Sequence, residues 1–227
     1  MIEKRPVKRY LEGDLRQAED LLAVESPVEL SLNRETVLLS CSPGKREELA
    51  WGYLLSQGFI GGQDDLSSLE IEEGSIRAAV RGFHREPAPL GKGISLKAEE
   101  LLRAGEALAR LSEVFRLTGG THVAALFPPD GAPIPAEDVS RHCALWKAIG
   151  GAILSGADRE RSFLLLSSRL SRGMLEAVAR ARIPVVGCIS APTAQAVARA
   201  EELGVTVCGF LREGRFNVYS RPDRIEP

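Results

Sequence analysis

The chain has 227 residues, of which 44% are hydrophobic, enough to fill one large core or two smaller ones, and it reads as globular. Its 29 basic and 31 acidic residues nearly cancel to a net charge of −2, which leaves no general basic field for nucleic acid or an anionic membrane; any anion site is local. No run approaches the roughly 20 apolar residues of a membrane helix, and the opening MIEKRPVKRYLEGDLRQAE lacks the apolar segment of a secretory signal, so the expected location is cytoplasmic.

In chain order, PVELSLNRETVLLSC (27–41) reads as two short strands turning at Asn33-Arg34-Glu35. PGKREELAWGYLLSQGFI (43–60) reads as a helix with Leu49, Trp51, Tyr53, Leu54 and Leu55 mostly on one face and Gly58 as its left-handed cap. LEIEEGSIRAAVRG (69–82) is a second hairpin turning at Glu73-Gly74, and FHREPAPLGKGIS (83–95), rich in Gly and Pro, is loop. LKAEELLRAGEALARLSEVFR (96–116) carries the strongest helical period, through Leu101, Leu102, Ala104, Leu108, Leu111 and Phe115. Beyond it strands and helices alternate: THVAALF, helix 141–155, SFLLLSS, helix 171–181, IPVVGCI, helix 193–203 and VTVCGF. Near-continuous apolar strands of this kind predict a buried, largely parallel sheet with helices on its faces. The division expected is a smaller N-terminal α+β domain of hairpins and helix over 1–95 and an α/β domain over 96–227. In such sheets ligands sit beyond the carboxyl ends of the strands.

Several familiar signatures are excluded. Gly91-Lys92 imitates a phosphate-binding loop, but Glu86 stands where the first glycine is required and Gly93 where Ser or Thr would hold magnesium. Ser190 has no Gly-x-Ser-x-Gly elbow. His84, His122 and His142 are the only histidines, without metal spacing, and the deaminase pattern of His-x-Glu with Pro-Cys-x-x-Cys is absent; no resident metal is expected. The four cysteines, Cys41, Cys143, Cys188 and Cys208, lack Cys-x-x-Cys spacing and read as free thiols.

One stretch concentrates chemistry. AEDVSRHCALWKAIGGAIL (136–154) puts Glu137, Asp138, Arg141, His142 and Cys143 at a helix start. The carboxylates suit a helix cap, and a first-turn cysteine beside an arginine and a histidine is expected to favour its thiolate, although a small buried cysteine would look the same. The paired glycines of LTGGTH (117–122) permit close backbone approach to a ligand or a tight turn. In SSRLSRG, Ser168 or Ser171 fits a helix cap. The C-terminal GFLREGRFNVYSRPDRIEP brings Arg212, Arg215, Arg221 and Arg224 together, suited to phosphate or to simple solvation.

Taken in order, ESPVELSLNRETVLLSCSPGKREELAWGYLLSQGFI, TGGTHVAALF, EDVSRHCALWKAIGGAIL and the run from SSRLSRG to FNVYS resemble the formate dehydrogenase accessory sulfurtransferase family, FdhD. The resemblance implies a cytidine-deaminase-like α/β fold without the zinc ligands. It also implies transfer of persulfide sulfur, received from a cysteine desulfurase, to the molybdenum or tungsten bis(molybdopterin guanine dinucleotide) cofactor of a formate dehydrogenase, with homodimers and GDP as a cofactor analogue. On the same basis Phe210, Leu211, Arg212, Glu213, Gly214 and Arg215 would hold the guanine dinucleotide, while Gly119, Gly120, His122, Asp138, Arg141 and His142 would line the same cavity. The family's persulfide-bearing Cys-x-x-Cys loop would fall at FHREPAPLGKGIS, which has no cysteine. The family's EDVGRHNALDK reads EDVSRHCALWK here. Either Cys143 carries the sulfur instead, or the protein binds the cofactor without transferring sulfur.

Overall fold

The computed structural model describes residues 1–33, 35–81 and 86–227; Arg34, His84 and the first part of the 83–95 loop lie outside the described residues. The chain opens with an antiparallel ribbon, β1 (Ile2–Leu11) and β2 (Asp14–Ala23). It turns at Glu12 and Gly13, both with positive φ, as a two-residue hairpin requires. The sequence hid this ribbon because both faces are largely exposed, so no apolar alternation marks its strands.

Next come β3 (Val28–Leu32), β4 (Glu35–Leu39), helix α1 (Arg46–Ser56), β5 (Leu66–Ile71) and β6 (Ser75–Val80). The two expected hairpins join into one four-stranded sheet, ordered β4-β3-β6-β5, through parallel pairing of β3 with β6. Alternate residues Val28, Leu30 and Leu32 face the core. Helix α1 ends as expected at Gly58, φ 80°, with Phe59 N–H donating to Leu54 O and Gly58 N–H to Leu55 O, the wrapped C-terminal motif that satisfies the last carbonyls.

Then follow β7 (Leu96–Lys97), α2 (Ala98–Arg110), α3 (Glu113–Thr118), β8 (His122–Phe127), β9 (Ile134–Asp138), α4 (Arg141–Leu154), β10 (Phe163–Leu166), α5 (Arg172–Arg180), β11 (Val185–Cys188), α6 (Ala194–Leu203), β12 (Thr206–Arg212), β13 (Arg215–Ser220) and β14 (Ile225–Glu226). The single helix expected over 96–116 is two helices. Ser112 leaves helical geometry, and the Glu137 carboxylate accepts from Ser112 Oγ at 2.6 Å and from the N–H groups of Val114 and Phe115 at 3.1 and 2.9 Å. A charged cap supplied by another strand thus starts α3.

The main sheet has six strands ordered β13-β12-β11-β10-β8-β9. Only β10, β11 and β12 run parallel; β8, β9 and β13 pair antiparallel. The sheet is therefore mixed rather than largely parallel, because the PPDGAP turn sends β8 straight back as β9 before any helix forms. Helix α2 covers one face through Leu101, Ala104 and Leu108, against Val123, Leu165 and Val185. Helices α4, α5 and α6 cover the other, in a core that continues through α1 into Val28, Leu30 and Ile76 of the four-stranded sheet.

The joint between the two halves is α1 against α4. A methyl group added at Gly52 would lie 1.7 Å from the Trp146 carbonyl oxygen, and one at Gly150 1.8 Å from that of Glu48. The helices touch backbone to backbone, which only glycine allows.

Candidate functional site

Antiparallel pairing brings the start of β8 and the end of β9 to the same sheet edge as the carboxyl ends of β10, β11 and β12. His122 is opposite Asp138, Ser167 N–H donates to Val123 O, and Phe210 N–H donates to Ser190 O. Gly119, Gly120, His122, Asp138, Arg141, His142 and the 210–215 turn therefore share one rim of the molecule.

They do not share one cavity. A pocket of about 320 Å³ is lined by Glu25, Leu38, Ser40, His142, Cys143 and Trp146. A separate one of about 270 Å³ is lined by Leu102, Gly105, Ile189, Leu211, Arg212, Glu213 and Gly214. Gly119 caps α3 with φ 67° and faces open space, while Gly120 packs against Ala23 of the ribbon; these glycines serve a turn and a strand contact.

The first pocket reaches one thiol, that of Cys143, buried at 2% exposure; Cys41, fully buried, does not line it. Cys143 is in the first turn of α4, whose cap Ser140 accepts from Cys143 N–H at 3.4 Å. Its thiol donates to Ser40 O at 3.7 Å, beside Cys41, which sits just after β4 and donates to Ser26 O at 3.4 Å. Arg46 Nη1 donates to Cys41 Sγ at 2.9 Å, and Arg46 Nη2 holds Ser26 Oγ and Ser26 O at 2.8 and 3.2 Å. The hydrogen bond from Cys143 and the charge of Arg46 bring the Cys41 pKa down to about 7 against the opposing effect of burial, with Lys147 helping and Asp138 opposing. The same bond, burial and Asp138 push Cys143 up. The more acidic thiol is thus Cys41, the reverse of the expectation from the helix start. Arg141 and His142 are beside Cys143 in sequence, but the cation on the sulfur pair comes from α1.

Behind the thiols is a buried ion pair. Lys147 Nζ is 2.7 Å from Asp138 Oδ2, with side chains 1% and 0% exposed, and donates to Ser42 O at 2.9 Å. Asp138 Oδ1 accepts from Ser140 N–H at 2.9 Å, and Ser42 Oγ from Val139 N–H at 3.0 Å. Asp138 thus fixes the start of α4 and holds the 40–43 segment against it. Glu137 points away to cap α3 and also accepts from Thr121 Oγ1 at 2.9 Å. Burial would raise its pKa, but these hydrogen bonds, led by Ser112, hold it below the usual carboxylate range. Burial, reinforced by Arg141, lowers the pKa of both His122 and His142, with Asp138 opposing at His122; the two imidazoles stay neutral to lower pH than a free histidine.

At the second pocket Leu211 is buried against Gly105 and Gly187. Arg212 stacks over the Phe210 ring at 5.8 Å, and Glu213-Gly214 turn the chain so that Arg212 pairs with Arg215 across β12 and β13. Phe210 and Glu213 both hold positive φ. Arg212 and Arg215 are exposed. The other two C-terminal arginines are structural. Arg221 pairs with Asp223 at 2.9 Å, and Arg224, fully buried, donates to Thr206 Oγ1 at 3.0 Å and to the Gly91 and Lys92 carbonyls. The imitation phosphate loop therefore presents carbonyl oxygens to a cation. Ser168 bonds to Arg169 O and Ser171 makes no side-chain cap.

Sequence reasoning missed Cys41, Arg46 and Lys147. The available signals were a cysteine directly before a helix in SCSPGKR and a lone lysine inside the apolar run ALWKAIGGAIL. Cys188 and Cys208 are fully buried strand residues, their thiols pushed up to about 12 by burial.

The FdhD/NarQ family model matches residues 23–89 and 82–226. The chain belongs to this family. The two matched segments meet at the cysteine-free loop. Similar relatives include a sulfur carrier protein FdhD of Methanothermobacter thermautotrophicus, 35% identical over 82% of this chain and 83% of that protein. One of Bacillus subtilis is 32% identical over 97% and 96%. The fold matches a crystal structure of a formate dehydrogenase accessory protein from Desulfotalea psychrophila with TM-score 0.85 and 26% identity, covering 100% of this chain and 99% of that one. Among the described residues no helix is long and apolar enough to cross a membrane.

Proposed function

We propose that this FdhD-family protein is a sulfur carrier in formate dehydrogenase maturation, with Cys143 as the sulfur-bearing residue. The observation that carries the reading is Cys143 on the wall of a pocket of about 320 Å³, in a chain whose family relatives are named sulfur carriers. A cysteine desulfurase persulfide is the donor. The Cys143 sulfur attacks the terminal sulfur of that persulfide, the donor S–S bond breaks, and the donor thiolate leaves with the proton released from Cys143.

The client is the guanine-dinucleotide form of the molybdenum or tungsten cofactor, bound as cargo. The turn Phe210–Arg215 supports this: Arg212 and Arg215 offer exposed guanidinium forks beside an aromatic ring and a pocket of about 270 Å³. His122, Arg141 and His142 extend the same rim. A homodimer in the cytoplasm fits the exposed ribbon, where Tyr10, Leu11, Leu15 and Leu22 lie open to solvent. The deaminase-like description of the second half is retained as a proposal supported by its mixed sheet with helices on both faces.

The test is incubation with a cysteine desulfurase and cysteine, followed by peptide mass mapping. One sulfur taken from the desulfurase by Cys143, found on its peptide or released as hydrosulfide, and none taken by Cys143→Ala, is the expected result. A folded protein that gains no sulfur but binds GDP would instead be a noncatalytic cofactor carrier.

A further inference from the structure

The proposed sulfur chemistry leaves Cys41 without a task, yet Cys41 is the sulfur on which the surrounding groups converge. It comes from the N-terminal half, Cys143 from the C-terminal half, and Cys143 Sγ lies 3.7 Å from the carbonyl oxygen of Ser40, the residue directly before Cys41. Cys41 receives Arg46 at 2.9 Å and itself donates to Ser26 O at 3.4 Å, so its position is fixed from two sides. Cys143 lines the pocket while Cys41 lies behind it and does not. The charged groups facing the pair are Arg46 from α1, Asp138 from β9 and Lys147 from α4. One cysteine on the pocket wall and a second, cation-supported one behind it is the arrangement of an attacking thiol with a resolving thiol.

We propose that Cys41 is the resolving partner of Cys143, closing a reversible Cys41–Cys143 disulfide that expels whatever group the Cys143 sulfur carries. This rests on the carrier reading above only for the identity of that group. With a persulfide on Cys143, the Cys41 thiolate attacks Cys143 Sγ, the bond between Cys143 Sγ and the terminal sulfur breaks, and that sulfur leaves with its electron pair and proton as hydrosulfide. The sulfane sulfur is reduced and the two cysteines are oxidised to the disulfide. An external dithiol restores both thiols by exchange and is itself oxidised to a disulfide. With a mixed disulfide of glutathione on Cys143 the same attack expels glutathione thiolate, so the pairing is testable without any sulfur transfer.

The native chain, reduced and desalted, is incubated with oxidised glutathione, quenched in acid, alkylated and mapped by mass spectrometry. The expected product links the Cys41 and Cys143 peptides in most molecules, with Cys188 and Cys208 alkylated only after denaturation. In Cys41→Ala, glutathione stays on Cys143. A glutathione adduct that persists on Cys143 of the native chain, or two thiols that remain free, overturns the pairing. A parallel incubation with glutathione persulfide separates the two readings. A bridge with oxidised glutathione but no sulfur taken from the persulfide retains the pair and removes the carrier function. Sulfur held on Cys143 with no bridge and no hydrosulfide released removes the pair and retains the carrier.

Discussion

Replacing Lys147 by Met tests whether the buried ion pair organises the site. The change keeps the apolar stem and removes an ammonium 2.7 Å from Asp138 Oδ2, leaving a carboxylate that is 0% exposed with one hydrogen bond, from Ser140 N–H, and leaving Ser42 O without its donor. Removing one member of a buried pair costs about 3–5 kcal/mol, since the remaining charge is neither solvated nor paired. Total stability of a domain this size is about 5–15 kcal/mol. At about 2–4 °C per kcal/mol for 150–250 residues, the melting temperature drops by roughly 6–20 °C. Adding Asp138→Asn removes the orphaned charge, so the double variant recovers at least about 1 kcal/mol relative to Lys147→Met, a coupling of the size seen between contacting groups. Thermal unfolding by circular dichroism, checked by urea titration, measures both. A Lys147→Met protein that melts within about 2 °C of the native one, less than a single kcal/mol, or a double variant less stable than the single, would refute the account of the pair as mutually dependent.

Three further outcomes are expected. Gly150→Ala, whose new methyl would meet Glu48 O at 1.8 Å, forces α1 off α4 and costs at least about 3 kcal/mol; an unchanged urea midpoint would show that the helices yield freely. Calorimetry with GDP shows binding to the native protein and loss of at least about tenfold in affinity, or about 1.4 kcal/mol, in the Arg212→Ala, Arg215→Ala double variant; equal affinity would move the nucleotide away from the turn. Because the Cys41 pKa falls from 9.0 unfolded to about 7 folded, its contribution is present above the unfolded value and is lost as pH falls through about 7. Stability therefore rises between pH 7 and 9 with a slope of up to one proton, and this slope disappears in Cys41→Ser. Above pH 9 the contribution of Cys143 runs the other way, since its raised pKa keeps it protonated when the unfolded thiol ionises. A slope unchanged by the substitution would mean the thiolate is elsewhere.

The second half of the fold was legible because its strands announce themselves. FLLL and VVGC are continuous apolar runs, and α5 and α6 follow where the period changes. The ribbon β1–β2 was not legible, since exposure on both faces removes the alternation that marks a strand. Strand β9 was hidden by Pro135 inside it and Gly131 and Pro133 before it, which read as loop, and the helix break at Ser112 was invisible because its cause, Glu137, lies 25 residues away. The candidate site divides in the same way. Cys143 could be read from its local surroundings at a helix start. Cys41 could not, because its chemistry comes from contacts with Arg46 and with a cysteine 102 positions further along, and no local pattern encodes a meeting between two halves of a chain.

The glycine-to-carbonyl contact at the α1–α4 crossing bears on how the two sulfurs stay in register. Side chains between helices act as a compliant layer that can re-pack when one helix slides. At Gly52 and Gly150 there is none, so a displacement of α1 is opposed at once by main-chain atoms. Arg46 begins α1 two residues before Glu48 and six before Gly52, and Cys143 lies one turn before Lys147 on α4. The crossing therefore works as a fixed pivot with one sulfur mounted near each arm, and the spacing between the thiols is set by backbone thickness rather than by the softer geometry of a packed interface.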